Sequence, residues 1–244
     1  MPYRQIDPDA VIETIHRLGL RIAERFPGRG LNGVCADLLE TAKAAQARVR
    51  SMQQPWLWVR GLSLVLAALG LVGLIAVGAR LGLPLLAGLR EPTQGAEVLD
   101  LVSGVEAAVN ILILGGAAIF FILRHEERSK RALALAALHE LRSLAHVVDM
   151  HQLTKDPVMM LNPERRTVAA PKDVMTAFEL SRYLDYCSEL LALIGKCAAL
   201  YAAHTQDALV IEAVNDVEDL TTNLSRKIWQ KIAIVSETGS RPAI

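Results

Sequence analysis

The residues best suited to chemistry lie close together, between positions 139 and 157. Four polar side chains recur there at intervals of three and four and so line one face of a predicted helix: His139, Arg142, His146 and Asp149. Histidine and carboxylate groups at helical spacing can bind a metal ion. The HExxH pattern, which places two histidines and a base around one zinc ion, is absent. A polar face that pairs with another helix or with solvent is the simpler interpretation, so we predict no metal site and no cofactor.

A second polar face is predicted on the last helix of the chain. Its four members follow the same spacing: Glu212, Asp216, Asp219 and Asn223. This acidic face pairs with Arg142 and the basic residues after the second apolar segment, or binds a partner protein, or is solvated. Solvation is the simplest of the three, because an acidic helix face alone is weak evidence of binding and surface charge pairs contribute little. We keep both polar faces as candidate binding surfaces.

The sequence contains no recognisable catalytic or nucleotide-binding motif. Its cysteines, Cys35, Cys187 and Cys197, form no CxxC pair, and an odd number fits a reducing compartment. The Gly28-Arg29-Gly30 turn lacks the strand–helix context and the Lys-Ser/Thr ending of a phosphate-binding loop. We therefore assign no catalytic residue, and an enzyme is the least favoured class.

Composition indicates an all-α protein. Of 244 residues, 52% are hydrophobic but only 5% are aromatic, so the apolar residues are mostly Leu, Ala, Val and Ile. Leu and Ala are strong helix formers, and alternating strand patterns bounded by tight turns are nearly absent. The formal net charge is +0, which argues against nucleic acid as a partner because phosphates require a basic surface.

Two long apolar segments predict a helical hairpin that crosses a lipid bilayer twice. Residues 61–79 carry no charge and would cover about 28 Å as a helix, close to the hydrocarbon thickness of a bilayer. The second apolar run places the other span at about 101–123. The loop between them, 80–100, contains an uncharged stretch broken by Pro84. We expect that stretch on the membrane surface, with a segment that re-enters the bilayer as the alternative.

The placement of lysine and arginine predicts the orientation. Basic residues flank the hairpin outside its two spans and are few between them. Because basic flanks stay in the cytoplasm, we predict both termini inside and the loop outside, in a bacterial inner membrane. The predicted domains are residues 1–55 (cytoplasmic helices), 56–123 (hairpin) and 124–244 (a cytoplasmic domain that continues the second span). The flanking residues are Lys43, Arg48, Arg50 and Arg60, then Arg124, Arg128, Lys130 and Arg131.

Four long helices are predicted to form an antiparallel bundle in the cytoplasm, with a short first helix packed on it. Asp7 before Pro8, Asn32 and Asp173 have the side chains that begin helices. The second span is predicted to continue without a break to about residue 154, since neither Gly nor Pro interrupts it. The four predicted helices are 31–54, 124–154, 173–204 and 207–236, joined in part by a long connection over 155–171.

Each of these four helices carries one apolar stripe at helical spacing, which must be buried against another helix. The stripes, in chain order, are Val34, Leu38, Ala42, Ala45 and Val49; Leu133, Ala137, Leu141, Leu144 and Val148; Leu180, Leu184, Cys187, Leu191, Ile194, Ala198 and Tyr201; and Ala213, Val217, Leu220, Leu224, Ile228 and Ile232.

Two polar residues belong to the second span. Asn110 lies inside it and Glu106 lies toward its outer end. A buried Asn hydrogen-bonds across helices and favours oligomers, whereas an ionisable group can mark an ion path. We favour helix packing, because glycine pairs in both spans, Gly70 with Gly73 and Gly115 with Gly116, allow helices to approach closely.

Three functions remain open on this sequence. The favoured one is a membrane-anchored helical scaffold or interaction module, oligomeric with itself and bound to a cytoplasmic protein partner. The second is a small homo-oligomeric ion channel whose second span lines the pore under a cytoplasmic sensor domain. The third is a membrane-bound, metal-dependent enzyme built around His146 and Asp149.

We expect a reporter fused after Ile244 to be active only in the cytoplasm, because the basic flanks hold both termini inside. Alkaline phosphatase and green fluorescent protein fusions, read in parallel, measure this. Phosphatase activity at that position would contradict the predicted orientation, and a fusion within 80–100 is the opposite-sign control.

Overall fold

The computed structural model describes residues 6–53, 57–87, 96–158 and 175–239, and these residues form helices without any strand. The helices are α1 (Pro8–Arg25), α2 (Gly30–Gln53), α3 (Leu57–Ala87), α4 (Ala96–Leu153), α5 (Ala177–Ala202) and α6 (Ala208–Gly239). Within the described residues, the prediction of an all-α protein is confirmed. The prediction that the second span continues as one helix to about residue 154 is also confirmed, because α4 runs without a break to Leu153.

The chain folds as two compact units. One consists of Met1–Gln53 together with Arg131–Ile244, and the other is Gln54–Lys130. We call them the bundle unit and the apolar unit. The segments before and after the two apolar helices therefore pack into one unit, although they are far apart in sequence.

Helix α1 begins and ends as its sequence predicts. The Asp7 side chain accepts a hydrogen bond from the backbone N–H of Asp9 at 3.0 Å, and Pro8 occupies the first helical position. The helix ends at Arg25, and Gly28 follows with φ of +69°, a left-handed conformation that glycine adopts without steric cost. The turn returns the chain so that α2 packs on α1.

The expected cap of α2 is wrong. The helix starts at Gly30, and Asn32 lies inside its first turn, where its amide Nδ2 donates to the carbonyl oxygens of Phe26 at 2.7 Å and Arg29 at 3.1 Å. Asn32 thus ties the turn to the helix as a donor, instead of accepting from the helix as a cap. At Gly30 the imidazole of His151 occupies the place that a Cβ would take.

The core of the bundle unit combines residues from α1, α2, α5, α6 and the last part of α4. The stripes predicted for α2 and α5 are buried throughout, from 0% to 4% exposed. On α4, Leu133 was expected inside but is 52% exposed, and Ala134 takes its place. The reason is helical rotation, because eight residues before Leu141 lie roughly 80° around the helix.

Helix α5 is the most buried helix described, because fourteen of its residues are buried. Thr176 caps it: Thr176 Oγ1 accepts from the N–H of Glu179 at 3.2 Å, and the Glu179 carboxylate accepts from the N–H of Thr176 at 2.8 Å. The predicted start at Asp173 lies outside the described residues. Tyr183 and Tyr186 meet the ring of Phe26 edge to face, with centroids 5.4 and 6.1 Å apart.

Two helices are long and apolar enough to cross a membrane: α3, and α4 in the part that belongs to the apolar unit. Val59–Ala79 has a mean hydropathy of 2.5, and the most apolar part of Val102–Leu153 has 2.2. Apart from Val59, which is 1% exposed, no residue of either apolar window is buried by the rest of the protein. Helix α3 continues to Ala87, through Pro84 and beyond the position where the loop 80–100 was expected to begin.

Helices α3 and α4 contact each other through small residues. A Cβ placed on Gly73 would lie 3.2 Å from Ile111 Cδ1, and one on Gly70 would lie 3.9 Å from Ile111 Cγ2. The Ile111 side chain therefore rests on the two glycines, which supports the close approach expected there. At Gly115 and Gly116 a Cβ would meet nothing within 4 Å among the described residues, so these two glycines serve no approach to α3.

We expect Leu184→Ala to destabilise the bundle unit and Leu20→Ala to leave it nearly unchanged. Leu184 is 0% exposed and Leu20 is 54% exposed. Truncating a buried leucine costs about 2–5 kcal/mol of unfolding free energy, whereas an exposed site stays within about 0.5 kcal/mol. Thermal unfolding followed by circular dichroism in detergent measures both. Equal melting temperatures for the two variants would contradict the core described above.

Candidate functional site

The first predicted polar face is divided between solvent and the protein interior. His139, Arg142 and His146 are exposed on α4, while Asp149 is half-buried. Asp149 Oδ1 accepts a hydrogen bond from Gln152 Nε2 at 2.5 Å. Over the described ranges, no group of three or more His, Cys, Asp or Glu residues is arranged to hold a metal ion. The four residues are thus brought onto one helix but not into one site.

The second predicted face lies on the surface of α6. Glu212, Asp216, Asp219 and Asn223 are all exposed, and none of the three carboxylates forms an ion pair with a described residue. The alternative of a pairing with Arg142 is not found among the described residues. The basic residue that does reach this helix is Arg131, which donates to Asp207 Oδ2 at 2.6 Å, just before the helix begins.

A groove between α5 and α6 adjoins this acidic face. It has a volume of about 590 Å³. Gly195 and Thr221, both buried, form its floor, where a Cβ on Gly195 would lie 3.1 Å from Thr221 Oγ1. The two helices therefore approach closely at this point. The remaining lining residues are Ala192 and Lys196 from α5 and Glu218, Thr222, Ser225, Arg226 and Trp229 from α6.

Two large exposed side chains from α6, Arg226 and Trp229, line the groove. Arg226 is exposed, and its Nη1 makes only a long contact of 3.5 Å with Asn223 Oδ1. Trp229 is 59% exposed, although a tryptophan normally buries most of its ring. Together with the acidic face, the groove makes one surface along α6 from Glu212 to Trp229. We call it the α6 surface.

A buried polar cluster lies at the C-terminal end of α4. Lys231 Nζ, from α6, donates to the Gln152 carbonyl oxygen at 2.9 Å and to Gln152 Oε1 at 2.5 Å. A cation at the last carbonyls of a helix is favourable because those groups are unpaired and carry the negative end of the helix dipole. Burial lowers the pKa of Lys231, while Asp156 and Asp149 oppose that change.

The same cluster contains a second lysine. Lys155 is 5% exposed, and its Nζ lies 5.5 Å from the centre of the Tyr183 ring, within reach of a cation–π interaction. Its backbone N–H donates to the Gln152 carbonyl oxygen at 3.0 Å. The cluster therefore fixes where α4 ends against α5 and α6, and its role is structural.

Sequence reasoning missed this cluster and the groove. Lysine is almost never fully buried, so nothing in the sequence singles out Lys155 or Lys231. The one available signal was the polar pair Asp149 and Gln152 three residues apart near a helix end. The groove had none, because Trp229 belongs to no stripe and its neighbours are assembled from two helices.

In the apolar unit, Glu106 and Asn110 are exposed. Neither side chain has a hydrogen-bond or ion-pair partner among the described residues. They therefore point away from α3, which Ile111 contacts.

No protein-family model matches the chain, and no curated protein or solved structure shows significant similarity to it.

We expect all three native cysteines to resist thiol reagents in the folded protein. Cys35, Cys187 and Cys197 are buried and free, and burial raises the pKa of Cys35 to about 11 and the pKa values of Cys187 and Cys197 to about 12. Only the thiolate reacts. At pH 8, about one Cys35 in a thousand would be ionised, against about one in ten for a thiol at its ordinary pKa.

Mass spectrometry after brief maleimide treatment measures this. We expect no label on the native protein and three labels in denaturant. The native rate should rise with pH, because thiolate accumulates as pH approaches the raised pKa. Rapid labelling of any one cysteine at pH 8 would contradict its burial.

Proposed function

We propose that this protein is a membrane-anchored helical interaction module, a scaffold that recruits a protein partner to a bacterial inner membrane. In this proposal, α3 and the first part of α4 form a transmembrane hairpin, both termini lie in the cytoplasm, and the protein is a homo-oligomer. The bundle unit is the part that meets the partner.

The observation that carries the anchoring is the exposure of the apolar windows of α3 and α4, in which no residue except Val59 is buried. Leaving a large aliphatic or aromatic side chain in water costs about 1.5–3 kcal/mol relative to burying it, and more than a dozen such side chains are exposed here. A soluble monomer rarely tolerates so large an apolar surface. A bilayer is the solvent that removes the cost.

The distribution of basic residues supports the orientation. Arg60 precedes the first apolar segment, and Arg124, Arg128 and Lys130 follow the second. Arg124 lies 5.4 Å from the Phe120 ring, and a basic side chain beside an aromatic ring is typical of a membrane–water interface. These residues are expected on the cytoplasmic side.

The α6 surface is the part of the bundle unit best suited to a protein partner. Tryptophan and arginine are the side chains that most often dominate binding energy at interfaces, and Trp229 and Arg226 lie together on the groove. The acidic residues beside them are exposed and have no described ion pair. A partner with a row of basic residues would complement them, and such complementarity mainly raises the association rate.

The fold offers less support to an enzyme built around His146 and Asp149. The exposed His146 and the Asp149 that accepts from Gln152 do not form a catalytic pair. The enzyme hypothesis therefore has no geometric support, and the module is the function that the bundle unit supports best.

We expect a photo-crosslinking amino acid in place of Trp229 to capture a second protein in living cells, and the same amino acid in place of the exposed Thr14 on α1 to capture none. Charge reversal by Asp216→Lys with Asp219→Lys should reduce the adduct severalfold, because it removes the electrostatic attraction. Gel shift and mass spectrometry measure the adduct. Identical adducts at both positions, or none at Trp229, would refute the α6 surface as the docking site.

A further inference from the structure

The apolar part of α4 has three distinct faces. One face is half-buried and includes Ile111, which contacts α3: Gly104, Ala108, Ile111, Gly115, Ala118 and Ile122. A second face is exposed and almost wholly apolar: Val105, Val109, Leu112, Gly116, Phe120 and Leu123. The third face is exposed and begins with polar residues: Ser103, Glu106, Asn110, then Leu114, Ala117 and Phe121. We call the third one the polar face.

Within the described residues, no part of the apolar unit buries the polar face. Asn110 lies eight residues after Val102, where the apolar stretch begins, which is about 12 Å along the helix. Its amide is therefore deep enough to lie among lipid chains once α4 spans a bilayer. An amide or a carboxylate in contact with lipid alone has no hydrogen-bond partner, which is strongly unfavourable.

We propose that the polar face packs against the polar face of a second copy of this chain within the bilayer. The inference rests on the membrane anchoring proposed above. An amide carries both a donor and an acceptor, so Asn110 can pair with Asn110 of the second copy or donate to its Glu106. A two-fold axis then satisfies both chains at once, because every contact is made twice.

Two features favour a second copy over an unrelated membrane protein. A copy with the same topology carries its polar groups at the same depth, so donor and acceptor meet without further adjustment. Ala107, one turn before Asn110 and exposed, is small and lets the backbones approach as small residues do at membrane helix interfaces.

The polar face is suited to packing and not to conduction. Beyond Asn110 it consists of Leu114, Ala117 and Phe121, so polar groups occupy only its first part. Apolar side chains along this part of the face disfavour a continuous file of water, because apolar constrictions tend to dewet. The same apolar residues instead extend the contact between two copies.

Single cysteines test this arrangement in the full-length protein in native membranes. Leu114→Cys places a thiol on the polar face, and Leu112→Cys places one at nearly the same depth on the apolar face. The native residues are 71% and 58% exposed, respectively. The three native cysteines are buried and need no replacement. Oxidation with copper phenanthroline should link Leu114→Cys into a disulfide dimer at least severalfold faster than Leu112→Cys.

Adding Asn110→Leu to the Leu114→Cys variant should weaken dimerisation about three- to thirtyfold, in line with the strength of interhelical hydrogen bonds in membranes. Asn110→Gln, which keeps the amide, should lose less. Cross-linking at equal rates from both positions, no cross-linking from Leu114→Cys, adducts with another protein only, or insensitivity to Asn110→Leu would each overturn the proposal.

Extraction of the same membranes at alkaline pH separates the two proposals. If the protein is released from the membrane, the anchoring itself is wrong. If it stays in the membrane while the Leu114→Cys variant fails to dimerise, only the polar-face contact is wrong.

Discussion

Helix α4 contributes to both units, and each unit is packed around a different part of it. Its first part presents Ile111 to the glycines of α3, and its last part buries Leu141 and Val148 in the bundle core. From Arg124 to Leu153 the sequence contains neither Gly nor Pro, and no residue in that part breaks the helix. The first part of α4 has a largely apolar and exposed surface, and its last part has a buried apolar stripe. The two parts differ in amino-acid composition.

Apolar burial around α5 stabilises the bundle unit. A few polar contacts determine the positions of its helix ends. Packing of leucines at helical spacing is tolerant of small rotations, as the exchange of Leu133 for Ala134 illustrates. Hydrogen bonds are less tolerant, since they require particular distances and angles. The contact of Lys231 with Gln152 therefore fixes where α4 ends, and the Thr176 cap with Glu179 fixes where α5 begins. Hydrophobic packing alone specifies these positions only loosely.

The sequence predicted helices and most of their buried stripes because both follow from periodicity, which is a local property. It predicted the buried residues of α2 and α5 for this reason. It failed where a residue's role depends on a distant neighbour. Asn32 was read as a cap, but it donates to the preceding turn.

The candidate surfaces divide in the same way. The acidic face of α6 was predictable, since its residues share one helix. The groove beside it requires Gly195 from α5 and Thr221 from α6 to approach each other. No sequence pattern within either helix predicts this contact. The exposure of Glu106 and Asn110 likewise depends on which face of α4 packs against α3. The spacing of residues along α4 does not predict that face.

The contact between Gly30 and His151 has an evolutionary consequence. The imidazole at the end of α4 occupies the space that a side chain at position 30 would need, so neither position can change size freely. Among related sequences the two should vary together, with a larger residue at 30 accompanied by a smaller one at 151. Such correlated substitutions would connect the start of α2 with the C-terminal end of α4.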